Sequence, residues 1–358
     1  MSSPGLRPEP AVESVAILDT RDLVCPLTGQ ALHPTPIEAA EAELCKGEQL
    51  APRAIQLPRP VGRTATVLVR DDGACAYPVL DGIPILLGPE RLVPPGEPFE
   101  VDLAAPQYAE AYRDMDFYNT VTADLAATVA SSGFARSFGD LIPMPSTFRK
   151  AFPEPRGLWI DAPYEPGAQW DAYLHLAPLM GKRVLQLGGA GRHAVKFLLA
   201  GAERATLVSP MVGELQHARA LAAFARVGDR LRTVAGVAGE LPLADATMEA
   251  VHAASGVDHT AAATAGTQVA RVLAPGGRFS TVGPWRARAE LLAAAFDRFE
   301  VCHHGALTRH PLMFLRRLGL ELSPMLVWRI TRVDDAVSSL LPRLKATGGA
   351  VALLGWRD

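Results

Sequence analysis

Residues 181–195 read GKRVLQLGGAGRHAV, and this stretch constrains the fold more than any other part of the chain. Val184, Leu185 and Leu187 form a short apolar run that stops at Gly188, Gly189, Ala190 and Gly191, and an alanine- and leucine-rich helical segment follows at once. An apolar strand that breaks into a small-residue turn at a helix start is a joint where α/β proteins hold nucleotides. Small residues let a ligand approach the backbone, and the helix N-terminus presents N–H groups without intrahelical partners. Further apolar runs predict strands near 183–187, 205–208, 231–234, 249–254 and 277–282, with helices between them. That rhythm predicts an α/β fold: a doubly wound, Rossmann-like parallel sheet covered by helices on both faces. Beyond Trp285, apolar segments at 325–330 and 350–355 are read as the last strands.

At 358 residues the chain is longer than an average single domain. Residues 1–20 read as a flexible lead-in and 21–93 as a small strand-rich domain. Residues 94–177 read as a linker and a helical cap rich in aromatics, with the Pro/Gly-rich PERLVPPGEP (89–98) spanning the boundary. Residues 178–358 form the doubly wound domain. A hydrophobic content of 49% with 20% charged residues describes a globular protein with ample core. The net charge of −3 and the lack of a dense Lys/Arg block argue against nucleic acid as a partner, and no apolar run reaches membrane-spanning length. The opening MSSPGLRPEPAVES has no basic start followed by an apolar core, and the four cysteines are scattered without CxxC spacing. A cytoplasmic location and a small-molecule substrate are the expectation, with a protein partner or a homo-oligomer left open.

The later motifs resemble class I S-adenosylmethionine-dependent methyltransferases of the type 11 kind. ELPLADATMEAV (240–251) resembles the family's stretch before its fourth strand, GVDHT (256–260) the histidine-bearing segment after it, and ARVLAPGGRFSTVGPW (270–285) the fifth-strand signature. The resemblance implies S-adenosylmethionine as cofactor, lying over Gly188, Gly189, Ala190 and Gly191 with its carboxylate toward Arg192 or His193. It also implies contacts at Gln186, at Ser209 and Pro210 after the second strand, at Val237 and Ala238 after the third, and at Ser255 after the fourth. His259 and Asp258 become candidate proton acceptors. Tyr108, Tyr112, Trp285 and Arg286 become candidate substrate-side residues.

The chain departs from the family pattern where acids are usual. Gln186 hydrogen-bonds but does not offset a cationic cofactor, Ser209 meets one ribose hydroxyl where a carboxylate meets two, and Val237 accepts nothing from adenine. Each lost charged acceptor costs on the order of 1.5–3 kcal/mol before compensation, for which Glu214 and Glu240 are the nearby candidates. Two further readings therefore stand beside methyl transfer to a small molecule, as in secondary metabolism. One is a non-catalytic methyltransferase-like protein that binds a partner or another ligand. The other is an NADP-binding oxidoreductase, since Gly189, Gly191 and Ala194 also satisfy G-x-G-x-x-A.

LVCPLTGQAL and AYPVLDGIPILL resemble the small zinc-ribbon-like activator of tRNA and protein methyltransferases. In this degenerate version Thr28 and Arg70 stand where ligands would be. Cys25 and Cys75 alone do not complete a tetrahedral site, so no metal is expected. An apolar core of Leu23, Val67, Val69, Val79, Ile83, Ile85 and Leu86 is expected instead. Cys302, His303, His304 and His310 read as solvated or capping residues, not as a metal cluster.

Overall fold

The computed structural model describes residues 18–36, 66–73, 76–80, 82–86, 166–189, 191–209, 212–254, 262–283, 289–320, 322 and 324–358. The first strands, β1 (Leu32–Pro36), β2 (Thr66–Arg70), β3 (Ala76–Leu80) and β4 (Ile83–Pro84), make an antiparallel sheet in sequential order. Leu23, Val69, Val79, Ile83, Ile85 and Leu86 are buried as expected, and Leu68 and Tyr77 join them.

Helix α1 (Pro166–Leu176) leads into β5 (Arg183–Leu187), α2 (Arg192–Leu199), β6 (Arg204–Ser209), α3 (Val212–Phe224), β7 (Leu231–Ala235) and β8 (Met248–Ala253). Helix α4 (Ala262–Val272), β9 (Leu273–Gly283), α5 (Ala289–Ala293) and β10 (Arg298–His304) follow. Helices α6 (Arg309–Arg317), α7 (Pro324–Ser339) and α8 (Pro342–Lys345) precede the last strand, β11 (Ala350–Trp356). The seven-stranded sheet has the order β10-β11-β9-β8-β5-β6-β7. Strands β5 to β9 pair in parallel, and β11 runs antiparallel between β9 and β10. The strand order reverses between β5 and β8, so the carboxyl ends of these two strands flank the switch point where such sheets receive ligands. The expected α/β, doubly wound, Rossmann-like architecture is present.

Two expectations about the last third of the chain need correction. Residues 325–330 are not a strand but lie in α7, whose buried positions Val327, Thr331, Asp334 and Ser338 recur at helical spacing. Its polarity is inverted, with Leu326, Val333 and Val337 exposed. The reason is a capping task. Asp334 accepts the Thr308 backbone N–H at 2.9 Å and the Thr308 hydroxyl at 2.7 Å just before α6 begins. The second correction is β10, which lies at 298–304 without an apolar run. As an edge strand it carries charged and polar residues that hide the strand pattern.

The small sheet and the large one share a core. Leu23, Cys25, Leu32, Leu68, Tyr77 and Leu86 pack in one cluster with Leu187, Val208, Val234 and Ala238. Ile85 bridges Ala235 in parallel, the Leu86 N–H donates to the Ala235 carbonyl at 2.8 Å, and Leu23 bridges Leu243. The edge of β7 is therefore covered, which removes a row of unpaired backbone groups from solvent.

Candidate functional site

The turn after β5 is built from left-handed glycines: Gly188 at φ 66°, Gly189 at 74° and Gly191 at 81°. Gly191 is also the N-cap of α2, and a Cβ there would overlap the Ala218 methyl and stand 2.9 Å from the Ala218 Cα. This glycine is thus required for α2–α3 packing. The turn is clipped from inside by Gln186, whose amide nitrogen donates to the Gly188 carbonyl at 2.7 Å and whose oxygen accepts the Ala194 N–H at 2.6 Å. Both ends of the fully buried amide hold backbone. Neighbouring strand ends are tied in the same way, with Gly188 N–H to Val208 O at 2.8 Å and Ala254 N–H to Leu187 O at 2.9 Å.

At the end of β6, Ser209 is fully buried and donates to Glu214 Oε2 at 2.7 Å. Glu214, in the first turn of α3, brings a carboxylate to the place where the sequence shows only serine. Beyond β7, Val237 and Ala238 are buried, Val237 bridges Glu240, and Ala238 packs into the core shared with Leu86. This side is apolar and walled by the small sheet. Arg192 at the start of α2 is exposed, and its charge joins burial, the larger cause, in lowering the His217 pKa.

Under the turn lies a polar network that sequence reading missed, apart from His193. Tyr173 from α1 bonds Gln169, Lys196 and His193, and His252 of β8 bonds Ser280 of β9 at 2.9 Å. Gln186, His252 and Ser280 are paired across adjacent strands, which puts them in one row of the sheet. Helix α1 is held over this row because Arg278 donates to the His175 and Ala177 carbonyls at 2.8 and 2.9 Å. The polar residues are scattered over some 110 positions of sequence, so no local spacing signals the group.

The motif residue Arg271 has a structural task. It donates to the Leu241 and Leu243 carbonyls at 2.8 and 2.7 Å and to Asp245 at 2.7 Å, binding the 240–251 stretch to α4. In the small sheet, Cys25 is buried with Tyr77 Oη at 3.1 Å and Arg70 Nη1 at 3.9 Å from its sulfur. Burial pushes this thiol up, and hydrogen bonds from Thr28 and Tyr77 outweigh it, holding the pKa below the ordinary value. A guanidinium is no metal ligand. Among the described residues no cluster of three or more His, Cys, Asp or Glu side chains is arranged to hold a metal.

The expectation of solvated histidines near 303 is corrected for His304, which is buried at the end of β10. It lies between Asp171 at 3.0 Å and Asp335 at 3.1 Å. Burial opposes its protonation, but the two carboxylates prevail and raise its pKa to about 9. His259, Asp258, Ala190, Pro210, Ser255, Tyr108, Tyr112, Trp285, Arg286 and Cys75 lie outside the described residues. No helix among the described residues is long and apolar enough to cross a membrane.

A doubly wound sheet with a glycine turn and a helix N-terminus at its switch point defines a Rossmann-like α/β fold. Within it, residues 185–281, from β5 to the late part of β9, match the family described as a methyltransferase domain. No curated protein sequence matches the chain. Similar solved structures include the [4+2]-cyclase SpnF, at 16% identity and a TM-score of 0.34 over 50% of this chain and 76% of that one. Geranyl diphosphate C-methyltransferase from Streptomyces coelicolor A3(2) is similar at 15% identity and a TM-score of 0.39 over 54% of this chain and 78% of its own. Phosphoethanolamine N-methyltransferase 2 from Haemonchus contortus is similar at 14% identity and 0.39 over 54% of this chain and 52% of its own.

Proposed function

We propose that this protein transfers a methyl group from S-adenosylmethionine to a small-molecule acceptor. The carrying observation is that the methyltransferase-domain match over 185–281 coincides with the glycine turn and the Ser209–Glu214 pair. The described residues suit the cofactor at two places. Glu214 supplies the acceptor for ribose hydroxyls, and the start of α2 with its glycine N-cap supplies N–H donors for the amino-acid end. When bound, S-adenosylmethionine supplies an electrophilic methyl group on a sulfonium. The protein positions the acceptor in line with it, and His259 or Asp258 takes the proton of an oxygen or nitrogen nucleophile. A small acceptor suits a chain of net charge −3 without dense basic runs.

Two features favour the second reading, a methyltransferase-like protein without catalysis. The Gln186 amide is committed to backbone, and Val237 and Ala238 are buried on the adenine side. Calorimetric titration of the full-length protein with S-adenosylmethionine, S-adenosylhomocysteine and NADP separates these readings. Methyl transfer expects saturable binding of both adenosyl compounds and none of NADP. A titration without heat or stability change for either adenosyl compound would leave the non-catalytic reading. Binding of NADP alone would turn the reading toward an oxidoreductase.

A further inference from the structure

The connection between the antiparallel strands β10 and β11 is a helical insertion whose polarity is turned outward. On the inward side of α7, Asp334 accepts the Leu307 and Thr308 N–H groups at 3.0 and 2.9 Å. Asp335 lies 3.1 Å from His304 Nδ1, and Ser338 is buried. The outward side is apolar. Ile330, Val333 and Val337 follow one another at spacings of three and four, which puts them on one side of the helix. Leu340 continues the row just past the helix end, its N–H still bonded to the Val337 carbonyl at 3.2 Å. Val333 is 63% exposed, Leu340 79% and the adjoining Leu341 55%, while Ile330 is half-buried. A surface helix ordinarily turns such a row into the core, and a contiguous exposed row marks a contact surface.

The charge of the insertion selects its partner. Residues 305–349 hold seven Arg and Lys against three Asp and Glu, in a chain whose net charge is −3. Two of those acids, Asp334 and Asp335, are turned inward, the second against His304, whereas Arg329, Arg332 and Arg343 are exposed. Arg329 precedes Ile330 and Arg332 precedes Val333, so basic side chains border the apolar row, with Arg332 also 3.8 Å from Asp335. We propose that this insertion docks on an anionic lipid surface. Val333, Val337, Leu340 and Leu341 enter the headgroup layer, and Arg329, Arg332 and Arg343 reach the lipid phosphates. At 16 residues α7 is shorter than the roughly 20 that a bilayer crossing takes, so it lies in the plane of the surface. A second copy of the chain would set two faces of the same sign against each other, which charge repulsion opposes. Docking of this kind is independent of what the glycine turn binds.

The test is co-sedimentation of the full chain with phosphatidylcholine vesicles, with and without about one-third phosphatidylglycerol. The natural protein is expected to partition about tenfold or more in favour of the anionic vesicles, and several-fold less strongly as salt rises from ~0.1 M to ~0.5 M. Arg329→Gln with Arg343→Gln is expected to weaken that partition by about fivefold for each charge removed. Val333→Ser with Val337→Ser is expected to weaken it by about tenfold or more. All four positions are exposed, so the denaturation midpoint is expected to stay in place. Should the valine variant fail to fold, Leu340→Ser, just beyond the helix, is expected to weaken the partition in the same sense. Equal partition onto both kinds of vesicle, partition onto neither, or a partition that the valine and arginine variants leave unchanged overturns the proposal. A concentration-dependent dimer that Val333→Ser with Val337→Ser abolishes, in a protein that ignores the vesicles, overturns it in favour of a second copy on this face.

Discussion

Ser209 and Glu214 stand 2.7 Å apart, hydroxyl to carboxylate, across the junction between β6 and α3. The serine proton is spent on Glu214, so the acidic character expected at the end of the second parallel strand arrives from five residues downstream. An isolated reading of Ser209 suggests that an aspartate there would improve a grip on ribose. The pair reverses that expectation. Ser209→Asp would bring two carboxylates within hydrogen-bond distance, where like charges repel. It is expected to lower both stability and S-adenosylhomocysteine affinity. Glu214→Gln is expected to cut the affinity on the order of tenfold, the equivalent of about 1.4 kcal/mol. Calorimetry and denaturant titration check both, and stronger binding by Ser209→Asp would show that Glu214 is not the acid of this site.

Gly191 and Gly276 share a positive φ, 81° and 76°, but not their surroundings. A methyl group at Gly191 would collide with Ala218, whereas nothing lies within 4 Å of one at Gly276. Gly276→Ala is expected to cost about 1 kcal/mol of backbone strain, and Gly191→Ala about 3 kcal/mol or more with loss of α2–α3 packing. Equal shifts in denaturation midpoint would contradict this.

Two histidines give the stability profile opposite slopes. The His304 pKa is raised to about 9 by Asp171 and Asp335, so its contribution is fully present below about pH 6.5 and is lost as pH rises through about 9. The His175 pKa is lowered to about 4, chiefly by burial against the sheet. Its contribution is present above about pH 6.5 and is lost as pH falls through about 4. His304→Asn is expected to flatten the alkaline limb and leave the acid limb in place. Urea unfolding between pH 5 and pH 10 measures this, and an unchanged alkaline limb would refute it.

Among the described residues, Cys25 keeps company with Tyr77 and Arg70. Elemental analysis of the purified protein is expected to find no stoichiometric zinc, and EDTA to leave the melting temperature unchanged. One zinc per chain, lost in Cys25→Ser, would contradict the geometry.

The legible part of this chain is its local physics. Strands β5, β6, β7 and β8 are buried on both faces, so their apolar runs announce themselves, and the glycines after β5 mark a backbone that side chains would block. Helix α7 and strand β10 were not legible for the same reason inverted. Their polar residues, Asp334 and His304, point inward to partners far away in sequence, and period analysis reads partners as solvent. The sequence by itself determined the alternation of strands and helices, the glycine turn and the missing acids at Gln186, Ser209 and Val237. Tertiary structure alone decided that Gln186 clips the turn, that Glu214 sets its carboxylate against the Ser209 hydroxyl, and that β7 is covered by the small sheet. It also decided that Tyr173, His193, Lys196 and His252 meet under one loop. Hydrogen bonds act over about 3 Å of space, whatever the separation along the chain.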